Sequence, residues 1–333
     1  MNSKERIFAA LERKEPDRVP LLEWSIDQKV IETLSPGSTY FDFLDKIGMD
    51  GVSLGYGHTF SGHDGEVKFQ TTFQDKWGVA RVWTGEAISY PLKGPIKSEE
   101  DLRSYAPPDP NAPDALGNFP QLVQRFKGDK AIIWENRDVL SNPRYLRGTE
   151  DFLVDLIDNP NFAHEVIEMA LAYEIEMAKK AIKAGAEVVM LGDDYAYNSG
   201  PLMSPEHFRV FVFPRLKRIV RAIHEMGAYC AKHSDGNIMK ILDMIIESGV
   251  DGINPIDPIA GLDIGVIKRL YGNRVCVIDN IDCGHLLTNC ILERVIRAVK
   301  DCFRDCRISP NVVILGNSHV VKSITCISKS NLI

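Results

Sequence analysis

The stretch Ala231-Lys232-His233-Ser234-Asp235-Gly236-Asn237 decides how this chain is read. It lies between Ala228-Tyr229-Cys230, which reads as strand, and residues 238–248, which read as helix. Side chains able to bind a metal or move a proton thus fall where a buried strand opens into a helix. In α/β proteins chemistry is usually placed at that junction.

The same pattern repeats on both sides of this stretch. Short β-rich runs occupy 19–23, 51–55, 131–134, 187–191, 228–231, 252–254, 275–278 and 312–315. Helical patterns cover 4–13, 26–34, 40–47, 149–157, 162–184, 204–226 and 286–303, with Ser204 as N-cap and Pro205 at the first helical position of one of them. Residues 62–97 break the rhythm. Val67-Lys68-Phe69-Gln70-Thr71 and Val79-Ala80-Arg81-Val82-Trp83 alternate with period two, which predicts a β-hairpin insertion after the second strand. The strand count predicts an α/β fold, a single (β/α)8 TIM-type barrel over 1–333. A doubly wound sheet would show a Gly-rich first turn, and no G-x-G-x-x-G occurs.

Composition narrows the class. The formal net charge of -7 is offset by no basic block, which argues against nucleic acid as a partner. No apolar run approaches the roughly 20 residues needed to cross a bilayer. The start, Met1-Asn2-Ser3-Lys4-Glu5-Arg6, lacks the apolar core of a signal peptide, so a cytoplasmic protein is expected. Seven cysteines (230, 276, 283, 290, 302, 306 and 326) form no CxxC, and free buried thiols are expected in a reducing compartment. Cys302 and Cys306 stand one helical turn apart, but no adjacent Cys or His completes a metal set.

In a barrel the loops after the strands build the active site. Those positions hold Glu23; Tyr56 and His58; Glu135, Arg137 and Asp138; Asp193 and Asp194; His233 and Asp235; Asn254 and Asp257; Asp279, Asn280 and Asp282; Asn317 and His319. Any one of these acids or amides can simply cap the next helix. The collection is harder to explain so, because two histidines sit beside carboxylates. His233 and Asp235 flank Ser234, so both can face one mouth. Two His and one carboxylate suit zinc with an open fourth position, provided the barrel brings His319 round. The alternative is a hydrogen-bonded His233 with Asp235 as an N-cap. Adjacent carboxylates point to different sides, so one of Asp193 and Asp194 is expected to face the pocket as ligand, base or substrate contact.

Several segments resemble the uroporphyrinogen decarboxylase superfamily. They are Lys4-Glu5-Arg6-Ile7-Phe8-Ala9-Ala10-Leu11, Glu15-Pro16-Asp17-Arg18-Val19-Pro20, Ala184-Gly185-Ala186, Gly192-Asp193-Asp194, Met203-Ser204-Pro205-Glu206, Lys232-His233-Ser234-Asp235-Gly236-Asn237-Ile238 and Gly249-Val250-Asp251-Gly252-Ile253-Asn254-Pro255. The resemblance implies a (β/α)8 barrel and either decarboxylation or cobalamin-dependent methyl transfer. Similar decarboxylases carry an arginine-rich segment after the first-strand proline, for the carboxylates of their substrate. Here residues 21–29 contain no arginine and two acids, the wrong charge for a tetrapyrrole with many carboxylates. The branch similar to methylcobamide:coenzyme M methyltransferases holds zinc through a His-x-Cys pair and a later Cys. The matching positions are His233, Asp235 and His319, so both thiolates are replaced. Harder N/O ligands suit an oxygen substrate better than a thiol, which points to O-demethylation. Similar proteins continue past His319 into a final helix on the barrel wall, whereas this sequence stops at Ile333.

The expectation is a zinc-assisted methyltransferase moving a methyl group between a small, O-methylated molecule and a corrinoid. No Asp-x-His-x-x-Gly motif occurs, so the cobalamin is expected on a separate corrinoid protein. His233, Asp193 and Asp194 are the catalytic candidates. Glu23, Tyr56, His58, Glu135, Asn254 and Asp279 are expected to line the substrate pocket, and His233, Asp235 and His319 to hold the metal. A metal-free decarboxylase of a small acid and a non-catalytic corrinoid- or partner-binding module are the alternatives.

Overall fold

The computed structural model describes residues 1–23, 26, 28–55, 70–84, 89–278, 281–282, 284–306 and 313–314. Its strands are β1 (Gly51–Gly55), β2 (Thr72–Gln74), β3 (Ala80–Val82), β4 (Tyr90–Lys93), β5 (Ala131–Asn136), β6 (Val188–Gly192), β7 (Ala196–Tyr197), β8 (Gly200–Pro201), β9 (Tyr229–His233), β10 (Gly252–Asn254), β11 (Cys276–Ile278) and β12 (Val313–Ile314). Seven of them form one sheet in the order β1-β5-β6-β9-β10-β11-β12, parallel at every pair. Parallel strands joined through helices are buried on both faces, which is why these runs are apolar without alternation. The fold is a (β/α)8 TIM-type barrel.

The first expected strand, 19–23, is reduced to a single bridge residue, Leu21. Pro20 has no N–H to give to a ladder. The Leu21 amide donates to the Asp50 carboxylate at 2.8 Å, while its carbonyl accepts from Asp50 N–H at 2.8 Å. The segment is thus tied beside the start of β1 by a side chain. Leu22 still fills the barrel interior with Ala131, Ile133, Val188, Met190, Ala231, Cys276 and Ile278.

The helix Ser3–Leu11 closes the N-terminal end of that interior. Its Ile7, Ala10 and Leu11 belong to the same buried cluster. Phe8 packs against Tyr229, the first residue of β9, with the two rings tilted and their centroids 5.1 Å apart. Arg6 and Arg18 both reach the fully buried Asp50, at 2.7 and 2.6 Å. A second, larger apolar layer lies between the strands and the outer helices, chief among them Pro160–Ala184.

The expected hairpin is a three-stranded antiparallel sheet instead, β2-β3-β4. The 79–83 arm is β3. The other arm starts at Thr72, because Gln70 turns at positive φ, and Val67 to Phe69 lie outside the described residues. Gly94 follows β4 and lets this sheet dock: a Cβ there would stand 2.0 Å from the carbonyl oxygen of Leu146. Among the described cysteines, 230, 276, 290 and 302 are buried and form no disulfide. No described helix is long and apolar enough to cross a membrane.

Candidate active site

Strand register builds the site. Gly192 pairs with His233, and His233 with Asn254, so the last residues of β6, β9 and β10 stand side by side at the C-terminal mouth. His233 is buried. Its Nδ1 lies 2.7 Å from Asn254 Oδ1, an oxygen that can only accept, so Nδ1 carries the hydrogen. The other nitrogen, Nε2, faces two carboxylates: Asp194 Oδ1 at 3.6 Å and Asp235 Oδ2 at 3.8 Å. One ligand atom from each of these three residues lies within 4.8 Å of the others. Burial works against a charged His233. The Asp235 and Asp194 carboxylates work for it and prevail, so its pKa is raised above the ordinary imidazole value.

Asp235 is not a helix cap. The next helix begins only at Leu242. The Asp235 N–H donates to Asp194 Oδ1 at 3.1 Å, which binds the two acids together. Gly236 makes this turn possible. It has φ +84°, and a Cβ there would sit 2.7 Å from the Ala196 carbonyl oxygen in the β7-β8 hairpin. The loop is pinned further by Gly236 N–H to Asp257 (3.1 Å) and Asn237 N–H to the Tyr197 carbonyl (2.9 Å). Gly236→Ala is therefore expected to cost roughly 1–3 kcal/mol of stability and to pull Asp235 away from His233. A thermal melt beside a zinc titration checks this: Tm and metal affinity should fall together.

The two adjacent acids part company. Asp194 is half-exposed on the mouth, whereas the Asp193 side chain is fully buried. Asp193 accepts from the N–H groups of Leu140 (2.7 Å) and Ser141 (2.9 Å) at the start of the helix Ser141–Arg147, with Arg137 at 3.5 Å. Burial pushes its pKa up. A hydrogen bond with the Asp138 carboxyl and the charges of Arg137 and Lys232 outweigh that, and the group stays below the usual carboxylate range. Asp193 thus anchors β6 to the neighbouring helix, away from the Asp194 face.

Two further candidates meet at another part of the barrel. Glu135 is the last residue but one of β5, stands opposite Gly55 and is buried. Together with burial, its charge and that of Glu23 raise the pKa of the Tyr40 phenol, so these three groups lie near one another. The Asn254 side chain meets the His233 ring. Tyr56, His58, Asp279 and His319 lie outside the described residues.

Lys232 escaped notice although it adjoins His233. It is buried to 1 % exposure. Its ammonium meets Asp138 Oδ2 at 2.8 Å and the carbonyls of Asp193 and His233 at 2.7 Å each, and it sits 3.9 Å from the centre of the Tyr195 ring. Tyr195 donates its hydroxyl to Asp138 (2.7 Å) and its N–H to Ser234 Oγ (2.9 Å). Burial and the Asp193 charge push Asp138 up to about 7, against the pull of Lys232. This network fixes the backbone on which Asp194, His233 and Asp235 stand. Its signal was a lysine inside an otherwise apolar strand.

A family model described as uroporphyrinogen decarboxylase (URO-D) matches residues 81–327. A methylated-thiol–coenzyme M methyltransferase of Methanosarcina mazei is 26% identical over 221 residues, 66% of this chain but only 56% of that relative. A methylcobamide:CoM methyltransferase (MtbA) of Methanosarcina acetivorans is 23% identical over 304 residues, 89% of this chain and 87% of its own length. A uroporphyrinogen decarboxylase of Coxiella burnetii is 28% identical over 148 residues, 40% of this chain and 36% of its own. Among solved structures, a methyltransferase from Methanosarcina mazei superposes with a TM-score of 0.76 over 96% of this chain and 94% of that one, at 17% identity. That likeness concerns the fold.

Proposed function

Because the chain belongs to the uroporphyrinogen decarboxylase (URO-D) family, we propose that it is a methyltransferase moving a methyl group between a small oxygen-linked substrate and a corrinoid on a partner protein, with zinc held by His233, Asp194 and Asp235. The observation that carries this reading is the convergence of these three ligand atoms within 4.8 Å at the C-terminal mouth of the barrel. The similarity to relatives named as methylcobamide:CoM and methylated-thiol methyltransferases supports the reaction class.

The donor set fits the metal. One imidazole and two carboxylates are an N/O set that zinc accepts while leaving a position open. The Asn254 hydrogen bond fixes the ring, so that Nε2, once it gives up its proton, turns its lone pair toward the acids, the usual arrangement behind a metal-binding histidine. Bound zinc supplies a Lewis acid for the substrate oxygen. This chain's residues do the rest. Asn254 orients His233, the Asp235 amide orients Asp194, and the half-exposed Asp194 meets the incoming molecule. A donor set of imidazole and carboxylates, with no thiolate in it among the described residues, makes an oxygen substrate the better match than sulfur.

A second reading is favoured by the raised His233 pKa. A cationic Nε2–H beside two carboxylates is a proton donor, as decarboxylation of a small acid would require.

One experiment separates the two. The purified chain is analysed for metal, then given cobalamin with a panel of methyl ethers and thiols, and separately labelled small carboxylic acids. About one zinc per chain and a methyl-dependent change in the cobalamin spectrum are expected. A zinc-free chain under zinc-replete conditions that releases labelled carbon dioxide would overturn the proposal in favour of the second reading.

A further inference from the structure

Three arginines converge on one aromatic ring at the same end of the barrel. The guanidinium carbons of Arg81, Arg137 and Arg144 lie 5.4, 5.4 and 5.6 Å from the centre of the Tyr145 ring. All three residues are buried, whereas Tyr145 is partly exposed. They come from separate elements: Arg81 from β3 of the added sheet, Arg137 from the loop after β5, and Arg144 from the helix Ser141–Arg147.

Their partners differ. Arg81 donates to Ser89 Oγ (2.8 Å) and to the Ser89 carbonyl (2.7 Å), with Asp75 at 3.4 Å. Arg137 donates to Ser141 Oγ (2.9 Å) and the Gly192 carbonyl (3.1 Å), with Asp193 at 3.5 Å. Arg144 is different. Among the described residues no hydrogen bond or ion pair reaches its guanidinium, and its Nε is buried without a partner. Asp193, the nearest acid to Arg137, is already occupied by backbone amides.

A buried guanidinium without an anion is costly, and its planar fork matches an oxyanion. We infer that Arg144, with Arg81 and Arg137 around Tyr145, forms a binding subsite for the oxyanion group of a small-molecule ligand, a carboxylate, sulfonate or phosphate. The three-stranded sheet then has a role: it delivers Arg81 to the barrel mouth. Arg137 links the subsite to the other cluster, since its Gly192 contact lies two residues before Asp194. The inference does not depend on methyl transfer and stands if the reaction proves different.

The test is calorimetric titration of the full chain with acetate, methanesulfonate or inorganic phosphate at constant ionic strength, against chloride. Saturable binding of at least one is expected, about ten- to a hundredfold weaker in Arg144→Gln. Arg144→Lys keeps the charge but loses the fork and should fall between. A purely structural Arg144, stacked on Tyr145, predicts a different thermal result: Arg144→Met would lower Tm. A residue held ready for a ligand predicts that Arg144→Met keeps or raises the Tm of the ligand-free chain while anion binding is lost. No saturable anion binding, equal binding in Arg144→Gln, or a lowered Tm in Arg144→Met would each overturn the inference.

Discussion

Replacing Lys232 by methionine is expected to destabilise the fold by roughly 3–5 kcal/mol at pH 8, and much less at pH 5.5. The loss comes from what remains. Asp138 would keep its Tyr195 hydrogen bond but lose the only ammonium near it among the described residues, in a site with no exposure. Its pKa already stands at about 7, because burial and Asp193 outweigh Lys232. A carboxyl whose folded pKa lies above its unfolded one holds extra protons when folded, so its contribution to stability falls as pH rises between the two values. In the wild type that fall ends near pH 7. Without Lys232 the folded pKa climbs further and the fall continues above pH 7, so the gap between variant and wild type widens with pH. Urea unfolding of both proteins at the two pH values measures this. An equal loss at both would mean that Asp138 does not carry the effect.

Loss of the imidazole is the largest functional effect expected. His233→Gln should lower methyl-transfer kcat/KM by at least about a hundredfold and reduce bound zinc to a trace. Asp194→Asn and Asp235→Asn should each weaken zinc about ten- to a hundredfold. Asn254→Ala is the informative companion, because it removes the hydrogen bond that orients the ring and no candidate ligand. It should weaken zinc by a similar factor while leaving the three ligand atoms in place. The raised His233 pKa adds a pH signature: zinc must displace the proton on Nε2, so affinity should climb with pH to a point above the ordinary imidazole value. Zinc affinity that is flat across that range, or unchanged in His233→Gln, would remove the metal from the proposal.

The barrel was legible because its parallel strands are apolar on both faces, and each is followed by polar residues at one consistent end. Where reading failed, a local interaction had overridden the pattern. Residues 19–23 look like a strand, but the Asp50 side chain takes the amide a ladder needs. Residues 204–226 look like one helix, yet a π-helical turn, Phe208–Val212, interrupts it. Pro214 has no N–H to offer Val210, and Arg215 reaches back to the carbonyls of Val210 and Phe211 at 3.3 and 3.0 Å. At the site, His233 and Asp235 were visible because residues two apart at a strand end turn the same way. Which of Asp193 and Asp194 faces outward was not visible, since it depends on where the helix Ser141–Arg147 presents its amides. Arg144 could not be singled out either: in sequence it is one basic residue on a short helix, and only packing against Tyr145 shows that its charge has no local answer.

The helix seated across the N-terminal end of the barrel has a kinetic consequence. Ile7, Ala10 and Leu11 pack into the interior and give the barrel a floor at its N-terminal end, and the candidate ligands stand at the opposite, C-terminal mouth. Under the proposed reaction, a corrinoid protein would reach His233 from the same C-terminal mouth as the small molecule. Traffic would then be sequential: the small molecule would enter first, the large partner would cover it, and the product would wait until the partner leaves. Excess partner protein should therefore slow turnover at low substrate, as a plug in a shared opening would.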